Sequence, residues 1–536
     1  MAAGIETELK FVFTREYEAN IEALIAAVPH ARPPVRQHLA AVYYDTPEGE
    51  LWKHGLVLRV RSAGDSHIQT LKRRRVSDVQ REEWETETGR AELDLDLLLD
   101  TPLASLLERR SIRQSLQPAF EVNVDRTSHW LEAGAGLIEA SIDRGEILAK
   151  GKKLVLRELE LELKKGGLQD SFGLARALIS QAPLHSCVIS KAEQGHWLAA
   201  GTYGQAVKSS KPCLSKRMTS RQAFQAIGLA CLHDLHLNIL ALEAPDNAEA
   251  IHQARIALRR LRAAMALFKP IILDPSFSKL DGELKWLARM FGAARDMDVL
   301  AAGLAQMPGF TDLHGSSLDP VALCEAKGQA ARQAAIKALR SERGRMALLE
   351  LLQWLEALEG QPQLPGAFEP LPAYARSRLK KRLRNLVKSA ARLADLGQKS
   401  QHKIRIKAKE LRYMAEFFSR VPGVARDQKS LRRLVKFCEK IQGGLGQLRD
   451  RQVMDEFLDS LAASKNLAKL GAGSVIFFPA QSSASTQALA PAKESGKALS
   501  KLRKHAGKKA RADKDREKSL DAALRSYARL AALDVF

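Results

Sequence analysis

The strongest constraint on how this chain can fold is a change of hydrophobic period near residue 200. Before it, apolar and polar residues alternate in short runs: ETELKFVF, AVYYDT, LVLRVRS, HIQTLKRR, REEWETET, GLIEASIDRGEI and KLVLRELELELK. Turn clusters such as Thr46-Pro47-Glu48-Gly49, Ala63-Gly64-Asp65 and Asp143-Arg144-Gly145 separate them, as strand-ending sequences do. Helical stretches are predicted over Glu16–Val28 and Asp94–Arg110. After residue 200 the spacing becomes helical, in long Leu/Ala-rich amphipathic segments broken at Pro308–Pro320 and Gly360–Pro372. Two periods need two cores, so the expected fold class is α+β and multidomain, an antiparallel β-barrel or strongly curved sheet followed by helices. The predicted units are 1–200 for the strands, 201–218 for a linker and 219–470 for the helices. Residues 471–536 are expected to be a flexible linker and a basic tail, with Ser519–Phe536 able to form one short amphipathic helix.

At 536 residues the chain is too long for a single core, and its hydrophobic content of 45% is that of a folded protein. No run approaches the roughly 18 apolar residues of a membrane span, and MAAGIETELK carries no signal-peptide pattern. Five cysteines without a CxxC pair point to a reducing cytoplasm, and away from structural zinc or disulfides. The net charge of +22 points to an anionic partner: nucleic acid, an acidic surface or polyphosphate.

Within the strand-like runs the charges alternate. Glu6, Glu8 and Lys10 share one face, as do Glu158, Glu160, Glu162 and Lys164. Arg59 and Arg61, then Thr70, Lys72 and Arg74, then Arg81, Glu83 and Glu85, repeat the pattern. Any one such face could be solvated and laced with cross-strand ion pairs. Five together suggest a curved sheet with its charges inside, one side acidic and one basic. Carboxylates suit Mg²⁺ or Mn²⁺, while Arg and Lys suit phosphoryl oxygens. Such an interior could support phosphoryl transfer by positioning and charge neutralisation, with a carboxylate orienting or deprotonating water. Tyr43-Tyr44-Asp45 reads equally as a strand end and turn.

Glu6/Glu8/Lys10, Tyr43-Tyr44-Asp45-Thr46, Leu58-Arg59-Val60-Arg61, Thr70-Leu71-Lys72, Glu158–Lys164 and Ser190-Lys191-Ala192-Glu193-Gln194-Gly195 resemble the CYTH domain, or triphosphate tunnel metalloenzymes, over residues 1–200. The resemblance implies an eight-stranded antiparallel tunnel that binds a triphosphate and a divalent metal. It implies metal ligation by Glu6, Glu8, Glu158, Glu160 and Glu162. Lys10, Arg59, Arg61, Lys72, Arg81, Arg126 and Lys191 would hold phosphates, and Glu83 and Asp143 would join Glu6, Glu8 and Lys10 in catalysis. Asp143 matches an acidic position in an IDxG segment, near a second metal or the water. Gln194 stands where relatives commonly carry Arg, so a phosphate contact is missing there.

The helical half contains a repeat. His252, Arg255, Arg259, Leu261 and Arg262 recur as His402, Arg405, Lys409, Leu411 and Arg412 at identical spacing. The basic offsets fall within a stripe of about 100° on a helix. Each motif is followed by a second, Phe291-Gly292-x-x-Arg295-Asp296 and Leu445-Gly446-x-x-Arg449-Asp450, whose charges read as interhelical ion pairs and helix caps. Two stripes facing each other would form a positive groove for a polyanion; metal binding at His252 and His402 ranks below phosphate contact. These residues resemble the CHAD domain over roughly 219–460, which implies binding of inorganic polyphosphate by His252, Arg255, Arg259, Arg262, His402, Arg405, Lys409 and Arg412. Gln452 stands where Asp298 stands in the first repeat.

Together these resemblances imply metal-dependent hydrolysis of inorganic triphosphate to pyrophosphate and phosphate, with Mg²⁺ or Mn²⁺, in a cytoplasmic protein associated with polyphosphate granules. The alternatives are a non-catalytic polyphosphate-binding protein, or thiamine-triphosphate hydrolysis or adenylate cyclisation in the same tunnel. The segment Lys501–Lys509 could bind nucleic acid through phosphates or simply solubilise the chain; aromatic content of 6% argues against single-strand stacking.

Overall fold

The computed structural model describes residues 4–73, 79–243, 247–306, 319–360, 364–390, 393, 396–468, 509–533 and 535–536. Its strands are β1 (Gly4–Val12), β2 (His30–Asp45), β3 (Leu56–Ala63), β4 (Ser66–Arg73), β5 (Gln80–Thr88), β6 (Gln117–Ala133), β7 (Gly136–Ala149), β8 (Lys152–Lys165) and β9 (His185–Ser186). They form one nine-stranded antiparallel sheet in the order β5-β4-β3-β2-β6-β7-β8-β1-β9. β1 pairs with β8 along Glu8–Val12 and with β5 along Gly4–Thr7. One strand therefore borders both flanks of the sheet, which curls around an interior. Leu9 and Phe11 point away from that interior into the core, as the period of two requires.

Helices α1 (Glu18–Ala26), α2 (Glu50–Lys53), α3 (Ala104–Leu107), α4 (Arg110–Ser115), α5 (Leu168–Gln181) and α6 (Lys191–Ala200) decorate the sheet. The helical unit comprises α7 (Ser220–Ala241), α8 (Ala248–Ile272), α9 (Pro275–Ala305), α10 (Pro320–Arg340), α11 (Glu342–Glu356), α12 (Leu371–Ala390), α13 (Gln398–Phe417), α14 (Gln428–Ala468) and α15 (Lys509–Ala531). A continuous apolar core runs from β1, β7 and β8 through Phe172 and Ile179 of α5 to Phe224 of α7, Leu258 of α8 and Leu355 of α11. A polar tie reinforces it: His233 of α7 lies 3.1 Å from Glu193 of α6. Residues 201–218 hold no helix or strand, yet Val207 donates to Asn238 at 3.0 Å and Ser210 to Asp234 at 3.0 Å, so the connection is tied to α7.

Three features depart from the sequence reading. The helix expected over Asp94–Arg110 is broken into a 3₁₀ turn at Asp96–Leu98, α3 and the start of α4. Pro102 disfavours helical backbone at Thr101. The Thr101 hydroxyl instead donates to Leu98 O at 2.6 Å and accepts from Leu103 N at 3.2 Å. Strand β6, the longest of the sheet, lacks sustained alternation, since Arg126-Thr127-Ser128-His129 is uniformly polar; its partners β2 and β7 hold it extended. At the C-terminal end, α15 begins ten residues before Ser519. It seats Ala523 and Leu530 in the core, and Tyr527 donates to Val387 O at 2.8 Å. The basic run at 501–508, like the loop at 308–318, lies outside the described residues.

Gly145 opposes Val124 where β7 meets β6, and a Cβ there would lie 1.9 Å from Asn123 O, a backbone atom that cannot turn aside. Gly145→Ala is expected to cost about 2–4 kcal/mol. Denaturant unfolding of the full chain followed by tryptophan fluorescence checks it, and an unchanged midpoint contradicts it.

Candidate functional site

The interior wall is built from cross-strand rows. Arg126 of β6 opposes Asp143 of β7, which opposes Glu158 of β8. Two residues along, Ser128, Ser141, Glu160 and Lys10 form the next row, and Trp130, Glu139, Glu162 and Glu8 the third. On the other side Tyr43 opposes Arg59, Arg59 opposes Thr70 and Thr70 opposes Glu85, while Lys72 opposes Glu83. Because strand side chains alternate, every charged residue in these rows shares the inner face. Helix α6 contributes the last cation. Ser190 caps it, accepting from Glu193 N at 3.2 Å while the Glu193 carboxylate accepts from Ser190 N at 3.0 Å, which sets Lys191 at the first helical position aimed inward.

The charges sort into two clusters. In one, Lys191 Nζ lies 2.8 Å from Asp143, 2.8 Å from Glu158 and 2.6 Å from Glu160. Arg126 holds Asp143 and Glu160, each at 2.6 Å, and Lys10 stands 3.1 Å from Glu160 and 3.7 Å from Glu158. Asp143 is fully buried and Glu158 nearly so. In the other, Lys72 binds Glu6 at 2.7 Å and Glu83 at 2.9 Å. Arg59 approaches Glu83 at 3.8 Å and Glu85 at 3.9 Å, and Arg61 approaches Glu85 at 3.8 Å. Glu162 sits apart near the rim, paired with Lys164 at 2.7 Å, which also holds Glu139 at 3.1 Å.

Both clusters open onto a cavity of about 90 Å³ lined by Glu6, Glu8, Lys10, Tyr43, Arg59, Arg61, Lys72, Arg73, Arg126, Glu160, Lys191 and Glu193, among others. Seven cations therefore face four carboxylates, an excess that favours an anion. Burial acts against the charge of Lys10, yet Glu158 and Glu160 keep its pKa above the ordinary lysine value. Burial also opposes ionisation of Tyr43, but Arg59, Lys191 and Lys72 bring its phenol below the usual value of 10.0. Against the cost of burial, Lys10, Arg59, Lys72, Arg126 and Lys191 are all shifted upward by their carboxylate or phenol neighbours and stay charged.

Of the residues expected from sequence, the structure brings Glu6, Glu8, Lys10, Arg59, Arg61, Lys72, Arg126, Glu160 and Lys191 onto this one cavity. Glu83 and Asp143 stand directly behind Lys72 and Arg126. Glu158 is sealed between Lys191 and Gln194, whose Nε2 donates to it at 2.8 Å, and Glu162 stays near the rim. The Arg81 side chain and Arg74 lie outside the described residues. Three lining residues escaped the sequence reading as site members: Tyr43, which read equally as a strand end, Arg73 and Glu193; so did Glu139, next to Glu162 on the wall. The signal for Tyr43 was its period-two register with Ala41 and Asp45. Among the described residues no group of three or more His, Cys, Asp or Glu forms a ready metal cage. Mg²⁺, however, is commonly held by one or two carboxylates with phosphate oxygens and water completing its shell. Glu6 and Glu8, two residues apart on β1 and both lining the cavity, fit that requirement.

In the helical unit the two repeated stripes meet on α8 and α13. Burial and the neighbouring Arg255, Arg405 and Arg412 push the Arg259 guanidinium down to about 10. The Tyr413 ring, 5.9 Å from Arg259 and 4.9 Å from Arg412, offsets this crowding, as do Glu416 and Glu439 at 3.3 and 3.4 Å from Arg412. Among the described residues, Arg259 Nη2, Arg405 Nε, Arg412 Nε and His252 Nδ1 are buried without a hydrogen-bond partner. Arg262 turns to Asp281 at 3.4 Å, His402 is exposed, and Lys409 lies half-buried on the same helix as Arg405. Arg295-Asp296 and Arg449-Asp450 are mid-helical rather than caps. Asp296 pairs with Arg255 at 3.6 Å, and Arg449 with Glu456 at 3.6 Å.

A curled antiparallel sheet around an anion-sized charged cavity, joined to a two-repeat helical unit, defines a two-domain α+β protein. Residues 4–195 match the CYTH domain family and residues 226–459 the CHAD domain family, so the chain is a CYTH domain followed by a CHAD domain. It is 29% identical over 170 residues to an inorganic triphosphatase of Haemophilus influenzae, a match covering 30% of this chain and 46% of that protein. The chain thus spans about half the length of that curated relative. An uncharacterised protein of Mycobacterium tuberculosis is 24% identical over 510 residues, covering 87% of this chain and 90% of its own. The crystal structure of the CHAD domain of the plant Ricinus communis is 27% identical with a TM-score of 0.46, covering 60% of this chain and 96% of that one. Among the described residues no helix is long and apolar enough to cross a membrane.

Burial would raise the Glu160 carboxyl, but Lys191, Lys10 and Arg126 hold it well below the ordinary value of 4.5. A carboxylate with a lower folded than unfolded pKa stabilises in full above the unfolded value and loses that contribution as pH falls through the folded one. Glu160→Gln is expected to lower stability by roughly 3 kcal/mol near neutral pH. It should also flatten the decline in thermal midpoint below pH 4.5. Thermal scans across that range test both, and an unaltered pH slope contradicts the assignment.

Proposed function

We propose that the CYTH domain hydrolyses inorganic triphosphate to pyrophosphate and phosphate. The observation that carries this is the cavity lining: seven cations against four carboxylates, Glu6 and Glu8 of one strand among them. The identity to an inorganic triphosphatase supports it. A Mg²⁺ or Mn²⁺ held by Glu6 and Glu8 would neutralise charge on the phosphoryl oxygens. Arg59, Arg61 and Arg126 suit non-bridging oxygens as bidentate forks, while Lys10, Lys72 and Lys191 supply point charges. An arriving triphosphate would compete for Lys72 and Arg59, now held by Glu6, Glu83 and Glu85. That exchange frees carboxylates on the same wall to bind metal or orient water. Asp143, held by Arg126 and Lys191, keeps those cations in place rather than meeting water directly.

Glu6→Gln with Glu8→Gln is expected to lower phosphate release from triphosphate by at least about 100-fold while the thermal midpoint stays near that of the unaltered chain. Phosphate release with Mg²⁺ or Mn²⁺, measured on triphosphate, ATP, thiamine triphosphate and long polyphosphate, tests both activity and substrate. Full activity in the double variant would sink the assignment.

The CHAD domain, on the same proposal, binds inorganic polyphosphate where Arg255, Arg259, Arg405 and Arg412 converge. The support is their crowding together with guanidinium donors that lack partners, a cost that an extended anion would relieve. Neutralising Arg255, Arg259, Arg405 and Lys409 to Gln should weaken polyphosphate binding by on the order of 100-fold at low salt and reduce its salt dependence. A gel shift across a salt series reads this out; unchanged binding removes the groove.

A further inference from the structure

Helix α6 brings Lys191 to the interior cavity, and one carboxylate fixes how that helix begins. Glu193 uses its two oxygens differently. Oε2 accepts from Ser190 N and from Ser190 Oγ, each at 3.0 Å, which closes the cap from within. Oε1 accepts from Nε2 of His233 at 3.1 Å, and His233 belongs to α7 of the helical unit. A carboxylate only accepts, so Nε2 is the donor in this contact. Glu193 is 4% exposed, and it lines the interior cavity together with Ser190 and Lys191.

His233 is itself anchored by its neighbour in sequence. Asp234 is buried and accepts from Ser210 N at 3.0 Å, while Arg260 of α8 donates to Ser210 O at 2.9 Å. These bonds tie α7 to α8 through the connecting segment and give the imidazole a fixed base. On the far side of the cap, Lys191 Nζ lies within 2.8 Å of Asp143, Glu158 and Glu160. Lysine carries its charge on a flexible four-carbon stem, so its aim depends on where its backbone is anchored. That anchor is the Ser190–Glu193 cap, and the outer support of the cap comes from the other domain. A second tie between the two units, from Arg176 of α5 to Gln353 of α11, involves no residue of α6 or of the cavity.

We propose that His233 of the helical unit is a positioning residue for the interior cavity. It holds Glu193 in the cap of α6, and through that cap it holds Lys191 where a phosphate chain meets it. This rests on the triphosphate reading of the cavity and deepens it, because a residue of the CHAD domain then sets the affinity of the CYTH domain for its substrate. Withdrawing a donor from a buried carboxylate is costly. Without His233 the cap loses one of its supports, and Lys191 its fixed starting point. The carboxylates on the wall still attract the lysine, but from a backbone that no longer aims it.

The test compares substitutions at the two ties in the full chain. His233→Leu, and His233→Asn with an amide one bond too short, are expected to raise KM for triphosphate roughly tenfold with kcat within about twofold. His233→Gln, which returns a donor near the place of Nε2, should bring KM back to within about twofold of the unaltered chain. Arg176→Ala loosens the docking of the two units without touching α6 and should leave KM unchanged. A merely structural His233 would instead make His233→Leu and Arg176→Ala act alike. Amide hydrogen exchange over the first turn of α6 gives a readout that needs no activity. It should quicken at least roughly tenfold in His233→Leu and stay at the ordinary rate in His233→Gln. If His233→Leu does not fold, His233→Asn carries the same expectations. Unchanged exchange in α6, a KM no higher than that of Arg176→Ala, or a His233→Gln as impaired as His233→Leu each overturns the proposal. If the unaltered chain releases no phosphate from triphosphate, the function assigned to the cavity has failed, and the exchange alone decides whether His233 positions α6.

Discussion

The buried cluster of Lys10, Arg126 and Lys191 with Asp143, Glu158 and Glu160 is the interaction on which the rest of the structure depends. Three cations meet three carboxylates within a few ångströms, and nearly all of them are out of contact with water. Desolvating six charges is costly, and their mutual attraction offsets that cost only when geometry is close to ideal. That requirement ties β1, β6, β7, β8 and the first turn of α6 to one another: a shift of any of them strands a charge in the interior. The cluster contributes specificity of arrangement more than net stability. It also leaves an interior whose cations stay charged and stay in place, which is what recognition of a polyphosphorylated ligand needs.

The helical unit crowds its positive charge more closely. In the sheet each cation of the buried cluster has a carboxylate within 3.1 Å; on α8 and α13 Arg255 and Arg412 have looser carboxylate partners at 3.3–3.6 Å, while Arg259 faces Arg405 and Arg412 across a tyrosine ring. The first arrangement pairs its cations with carboxylates on the same walls. In the second, Arg259 is left crowded by other cations. The shared apolar core and the His233–Glu193 tie hold these two kinds of surface in one framework.

Much of the site could be read from sequence because strand alternation is a local property. Glu6, Glu8 and Lys10, or Arg59 and Arg61, share a face whatever they pair with, so the inner face was legible once the strands were. Strand β6 was not, because Arg126-Thr127-Ser128-His129 breaks the alternation and only pairing on both sides keeps it extended. The helix expected over Asp94–Arg110 failed for a local reason that the sequence did contain, the Thr101-Pro102 break. The helical repeats were legible as basic stripes, but Arg262 turning to Asp281 while Arg259 turns to the other repeat depends on which helix lies on each side.

By itself the sequence determined the change from strand to helix, the inner charged faces, the repeat and the excess of positive charge, since each follows from spacing and composition along the chain. Tertiary structure decided which charges meet. Glu158 and Glu160 are two residues apart on one strand. Yet Glu160 reaches the cavity, while Glu158 is sealed between Lys191 and Gln194. That division is set by where α6 lands on the sheet. The landing depends on contacts between residues more than 30 positions apart, which no local period encodes.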